Sequence, residues 1–472
     1  MRKFNRVLAA SLSLAMGLSL VACGSSTKTT ENEAKEGSTA EASKTEPTAT
    51  TAEGGEGKVL NIQCWNEEFA NRLADHYPGF VKNNPDDVTQ GGKIGDVTVN
   101  FSITPSQDNA YQSNLDDLLP VNLEKSADER VDIFLVEADY AKKYTNAATP
   151  VAMSMDELGI TSADISDQFK YTQDIVSDAS GAIRGLSWQA CPCLFIYRAD
   201  YAEQVLGSSD PAEVQKAVAD WDTYKKTADK FNAAGIHMQE TVNDSYRVYA
   251  DNATTPWVTD DKISIDANIM KWVDDSKAMV DAGETTTQAL WSDAWNAGMM
   301  TSGKTFGFFG PLWLISFCMH ADDSTSVAAN GGWKACAGPQ QFSWGGSWIC
   351  AAEGTDNAEL VKDIMLKLTT DEQILTDIAT KDQDCVNSHK VLNTLGADES
   401  KGVPALGNQN VYADLAASAD NIDRSKVGDY DQGCIEEFQN AMTQYFDGNK
   451  TKDEALEEFY KKVQDKYPNL SH

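Results

Sequence analysis

The sequence predicts an α/β protein of two lobes, on three observations. Between Val59 and Tyr140, apolar strands of period two alternate with segments of helical period, the pattern of a parallel sheet. Residues 58–472 form a longer folded portion than one core usually supports, so a second lobe is expected. The stretch from Lys304 to Ala351 places Trp313, Trp344 and Trp348 beside tight turns rather than inside apolar runs, which suits flat rings facing a cleft.

Residues 1–22 precede the fold. Arg2, Lys3 and Arg6 lead into an apolar run from Val7 to Ala22, the charged start and short apolar body of a secretory signal. The run closes on Leu20-Val21-Ala22-Cys23-Gly24, which resembles the lipobox of bacterial lipoproteins. That resemblance implies diacylglycerol on the Cys23 sulfur, cleavage before it, and a chain held by lipid outside the cytoplasmic membrane. No other stretch is apolar for long enough to span a bilayer. Residues 23–57 carry the lipidated Cys23 and then a polar segment with no aromatic residue and no Val, Ile, Leu or Met. Such a segment is a disordered tether, and at coil statistics its ends lie about 30 Å apart.

Lys and Arg number 39 against 72 Asp and Glu, a formal net charge of −33 that loss of the signal makes more negative. A surface this acidic repels nucleic acid and anionic lipid, and it keeps a protein soluble and monomeric. After lipidation the remaining cysteines are Cys64, Cys191, Cys193, Cys318, Cys336, Cys350, Cys385 and Cys434. Outside the membrane such thiols can pair, and Cys336 and Cys350 are placed to face each other across a hairpin; an anaerobic habitat would leave all of them reduced. No CxxC pair occurs and no histidine lies near Cys191-Pro192-Cys193, so neither a metal site nor a cofactor is expected.

The elements follow in order. Val59 to Trp65 is a strand with Leu60, Ile62 and Cys64 on one face, and Asn66-Glu67-Glu68 opens a helix at its carboxyl end. Val97 to Ile103 alternates as a second strand, Gln107 to Leu119 is an amphipathic helix, and Val131 to Val136 is a buried strand ending in Glu137-Ala138-Asp139. Ligands of such sheets gather beyond the carboxyl ends of the strands, here Trp65-Asn66 and Glu137 to Asp139. Leu194 to Tyr197 is a further strand. Asp210-Pro211 starts a long helix whose Trp221 and Phe231 face the core, and Asp266 caps a helix with Trp272 on its buried side. Thr305 to Phe309 is a strand stopped by Gly310-Pro311, where proline suits the first turn of a helix carrying Trp313. Helices then dominate: 356–368, 371–380, 408–419, 432–446 and 451–467. The run Gly298 to Thr305 fits the phosphate-loop spacing, but it opens a strand instead of a helix and reads as coincidence.

From Lys58 onward the chain resembles the extracellular solute-binding proteins of carbohydrate ABC transporters, family 1, in the broad maltose-binding-protein group. The resemblance rests on VLNIQCWNEEF (59–69), VDIFLVEADYAKKYT (131–145), GLSWQACPCLFIYRADYA (185–202), SGKTFGFFGPLWL (302–314) and GTDNAELVKDIMLKLTTDEQ (354–373), in that order. It implies the periplasmic-binding-protein-like type II fold, two α/β lobes joined by a multi-crossing hinge with a sugar closed between them. The lobes are expected as residues 58–165 with 304–345 and residues 166–303 with 346–472. One departure stands out: Cys191-Pro192-Cys193 occupies a place where a small, glycine-bearing turn is expected.

A saccharide offers C–H faces and a hydroxyl rim, so its site needs stacking platforms with polar neighbours. Stacking falls to Trp313, Trp344 and Trp348, with Trp65, Trp188 and Trp257 as further candidates. Hydroxyl recognition falls to Asn66, Glu68, Glu137, Asp139 and Gln189, each of which otherwise reads as a solvated cap or loop group. Asp384 and Asn387 lie in a polar loop within reach of the cleft. The implied partners are a carbohydrate, expected to be an oligosaccharide, and the permease subunits of an ABC importer. The implied location is the outer face of the cytoplasmic membrane in a Gram-positive-type envelope. Two rivals use the same residues: a lipoprotein glycoside hydrolase with a carboxylate pair, and a binding protein for a non-sugar solute.

Overall fold

The structure, a computed structural model, describes residues 57–472. The signal, Cys23 and the tether up to residue 56 lie outside the described residues. Residues 57–472 belong to one compact unit containing a seven-stranded sheet, a four-stranded sheet and the small antiparallel pair Val258–Thr259 and Lys262–Ile263.

The first sheet has seven strands in the order Phe80–Lys82, Gly92–Ile94, Val97–Ile103, Val59–Cys64, Ile133–Glu137, Ser347–Ala351 and Leu186–Ser187. Val59–Cys64 runs parallel to both its neighbours, and Ser347–Ala351 is antiparallel to Ile133–Glu137. Alternation decides which face is covered: Leu60, Ile62 and Val99 are buried, while Asn61 and Asn100 lie on the opposite face and bond each other at 3.0 Å. Residues 133–136 and 347–351 are apolar or small at every position because both faces are covered. Helices Glu68–His76, Ala358–Thr370 and Glu372–Lys381 pack together on this lobe.

The second sheet runs Trp333–Cys336, Leu194–Arg198, Thr305–Gly310 and His237–Gln239. Helices Trp221–Ala233, Val242–Ala250, Ala267–Ala282, Asp431–Phe446 and Lys452–Lys466 build the lobe around it. The long helix expected from Asp210 is two helices, Pro211–Ala217 and Trp221–Ala233, because Asp220 caps a new start by accepting the Thr223 amide at 2.8 Å.

Long-range pairing corrects the expected division into lobes. Thr305–Gly310 pairs with Leu194–Arg198, so it belongs to the second lobe, and Ser347–Ala351 pairs with Ile133–Glu137 in the first. Leu186–Ser187, expected in the second lobe, also joins the first sheet. The C-terminal helices divide between the two. The expected hairpin therefore does not form: Cys336 pairs with Phe195 in one sheet and Cys350 with Phe134 in the other. All eight cysteines of the described residues are buried free thiols.

The chain crosses between sheets after Ser187, returns before Ser347, and passes the same place a third time at residues 384–388. The three segments lie side by side. Ala190 N–H donates to the Cys385 carbonyl, Asn387 N–H to Trp188, Cys193 N–H to Phe342 and Trp344 N–H to Cys191. Cys191 adopts φ 52°, the left-handed region that favours glycine, so the turn keeps the expected conformation with an unexpected residue.

Candidate functional site

A cavity of about 420 Å³ opens between the sheets, at the carboxyl ends of Val59–Cys64 and Ile133–Glu137. Strand ends of the first lobe supply Trp65, Asn66, Glu68, Glu137 and Asp139. The crossing segments supply Gln189 and Trp344 to Ser347. The second lobe adds Arg247 from helix Val242–Ala250, Trp291 from the loop before helix Asp293–Ala297, and Trp313 and Phe317 from the turn after Thr305–Gly310.

Aromatic rings form the walls. Trp65 is held edge-on by Tyr111 at 5.6 Å and Tyr140 at 6.4 Å between centroids. Trp313 and Trp344 meet edge to face at 4.9 Å, and the Trp313 indole N–H donates to the Trp344 carbonyl at 3.0 Å. Gly345 and Gly346 have φ of 73° and 111°. A Cβ at Gly345 would lie 3.4 Å from the Trp313 ring, and one at Gly346 would lie 3.0 Å from the ring of Trp348 behind it. These glycines let the crossing segment pass between indoles.

Two polar networks meet the rings. In one, the Gln189 amide donates to Glu68 Oε1 and Asp384 Oδ2, both at 2.7 Å, and accepts the Ser347 amide at 3.0 Å. Arg72 lies 2.8 Å from Asp382, 3.3 Å from Asp384 and 3.8 Å from Glu68. Burial pushes the Glu68 carboxyl up to about 7, against the opposing pull of Arg72. In the other, Arg247 of the second lobe grips Asp139 of the first through two bonds, at 2.8 and 2.5 Å. Burial raises the Asp139 carboxyl, but the Arg247 guanidinium outweighs it and leaves Asp139 below its ordinary value. Glu137 Oε2 accepts the Asp139 amide at 2.8 Å, and burial, then the neighbouring Asp139, pushes the Glu137 carboxyl up to about 8. Arg247 also lies over the Trp344 ring at 5.5 Å.

The structure thus brings together Trp65, Asn66, Glu68, Glu137, Asp139, Gln189, Trp313 and Trp344. It does not bring Trp188, Trp257 or Trp348 to the cavity. Trp188 is buried against Phe69, Trp257 packs on Phe438 and Phe459 in the helical core, and Trp348 donates its indole N–H to the Thr172 carbonyl at 2.9 Å. Asp384 sits behind the wall, positioning Gln189, and Asn387 ties Phe169, Thr172 and Ser187 together in the interior. Arg247, Trp291 and Phe317 escaped the sequence reading. Arg247 lies inside a helix, and Trp291 and Phe317 sit outside every strand-end pattern; only proximity to Trp313 in sequence hints at Phe317. Among the described residues no cluster of His, Cys, Asp and Glu is arranged to hold a metal ion.

A slot closed between two sheet-containing lobes by three crossing segments defines a two-lobed protein of the periplasmic-binding-protein type. The chain belongs to the bacterial extracellular solute-binding proteins, whose family model matches residues 92–394. None of the curated proteins matches the chain in sequence. Among solved structures, an extracellular solute-binding protein of family 1 superposes with TM-score 0.67, at 17% identity over 87% of this chain and 99% of that one. The ABC-transporter-associated binding protein from B. animalis subsp. lactis, in complex with beta-1,6-galactobiose, gives 0.63 at 16% identity, covering 88% and 98%. The galacto-N-biose-/lacto-N-biose I-binding protein from Bifidobacterium longum, in complex with lacto-N-biose, gives 0.64 at 12% identity, covering 89% and 100%. At such identities the likeness establishes the fold, two α/β lobes of type II. Among the described residues no helix is long and apolar enough to cross a membrane.

Proposed function

We propose that the cavity binds a carbohydrate, an oligosaccharide, and that the chain delivers it to the permease of an ABC importer. The observation that carries this reading is the pairing of indole walls with hydrogen-bonding edges: Trp65, Trp313 and Trp344 beside Asn66, Glu68, Glu137, Asp139 and Gln189. Rings of this kind stack on the C–H faces of a pyranose, and amides and carboxyls take the hydroxyls at its rim. The structural likeness to proteins solved with galactobiose and lacto-N-biose supports the same class of ligand. Cys23, lipidated, is the proposed anchor to the outer face of the cytoplasmic membrane, with the acidic body remaining monomeric. Binding without turnover is the proposed activity.

Titration of the mature protein with oligosaccharides by calorimetry tests this. A saccharide of the correct class binds with a Kd on the order of micromolar, about −8 kcal/mol. Trp344→Ala weakens it by roughly tenfold or more, and no new reducing ends accumulate. Absence of binding by any saccharide, or release of reducing sugar, contradicts the proposal.

A further inference from the structure

Five large apolar side chains stand exposed among the described residues: Val81, Val121, Leu123, Trp291 and Phe317. The two aromatic ones both line the mouth of the same cavity, 56% and 55% exposed. An indole and a phenyl ring left in water beside a binding cavity mark a surface that something covers.

The Trp291 ring is held by its neighbours, and Phe317 sits in a closed backbone turn. Trp291 has φ 69°, a conformation unfavourable for a bulky residue. Its ring rests edge-on against Trp295 at 5.4 Å, and Trp295 is fully buried, with its indole N–H on Asp244 at 2.8 Å. The same Trp291 ring lies nearly parallel to Trp313, at 17° and 6.1 Å between centroids, so it continues the inner wall outward. Phe317 sits in the π-helical turn Leu314–Cys318, closed by the Met319 amide on the Leu314 carbonyl at 3.1 Å. Such turns recur at functional sites.

We infer that Trp291 and Phe317 form an outer subsite at the cavity mouth that stacks on the next ring of a longer saccharide and so selects for chain length. The inference rests on the carbohydrate reading and adds to it where the ligand extends. The occupant is argued from continuity: the near-parallel Trp313 face leads directly to Trp291, and both rings line the one cavity.

The test is calorimetry on two series, maltose to maltotetraose and galactobiose to galactotetraose, with wild type, Trp291→Ala, Phe317→Ala and Trp291→Tyr. The readout is the ratio of tri- or tetrasaccharide affinity to disaccharide affinity in the series that binds. Wild type favours the longer ligand; each alanine variant lowers that ratio, by roughly tenfold for Trp291→Ala. Trp291→Tyr restores most of it. A ratio left as in wild type by both alanine variants overturns the outer subsite while leaving saccharide binding intact. A wild type that binds the disaccharide as tightly as the longer members of its series also overturns the outer subsite, whereas absence of binding by any saccharide overturns the carbohydrate reading on which it rests.

Discussion

Glu137 illustrates how a single residue in the cavity carries a measurable signature. Its carboxyl is pushed from 4.5 up to about 8, first by burial and then by Asp139, with Arg247 and Arg424 opposing. A carboxyl whose folded pKa lies above its unfolded value contributes stability that is whole below the unfolded pKa and is lost as pH rises toward the folded one. The window here runs from 4.5 to about 8. Glu137→Gln keeps an acceptor for the Asp139 amide and removes the titration. The variant is expected to match wild type in thermal midpoint near about pH 5 and to exceed it by a few degrees near about pH 8.5. A constant offset between the two proteins across pH contradicts this. Much of the polar edge was legible at this scale, since Asn66, Glu68, Glu137 and Asp139 follow directly from strand ends. The tryptophans were less so. A turn-adjacent indole faces either a cleft or an interior, and sequence spacing does not distinguish Trp344, at the cavity, from Trp348, two pleats on in a strand covered on both faces.

At the scale of elements, the crossing segments matter most. Residues 342–347 lie against 188–193 while threading past Trp313 and Trp348, and Gly345 and Gly346 make that path possible. Gly346→Ala places a Cβ 3.0 Å from the Trp348 ring at φ 111°. The substitution is expected to cost about 1–3 kcal/mol, read as a lower urea midpoint with unchanged slope. An unaltered midpoint contradicts the assigned role of this glycine. Individual strands and helices were largely legible, because their periodicity is local. Their pairing was not. Trp333–Cys336 and Ser347–Ala351 read as the arms of one hairpin, yet each finds its partner far away in sequence, at Leu194–Arg198 and Ile133–Glu137. The register of a crossing hinge is set by contacts between distant segments, for which local pattern holds no record.

At the scale of the whole molecule, two lobes share one slot and meet across it. Arg247 on one side holds Asp139 on the other, and the three crossing segments join the lobes beside the slot. The proposed binding activity calls for closure of these lobes on the ligand by hinge motion, the ligand favouring the closed population by its differential affinity. The two-lobed class was legible from length and alternation, while the division of segments between lobes was decided by the same long-range pairing. The most direct measurement is a crystal structure of the protein grown with the saccharide of highest affinity in the two series. A pyranose ring stacked on Trp65, Trp313 or Trp344, with hydroxyls on Glu68, Glu137 or Gln189, is the expected result. A ligand bound elsewhere on the surface, with these indoles untouched, would contradict the assignment.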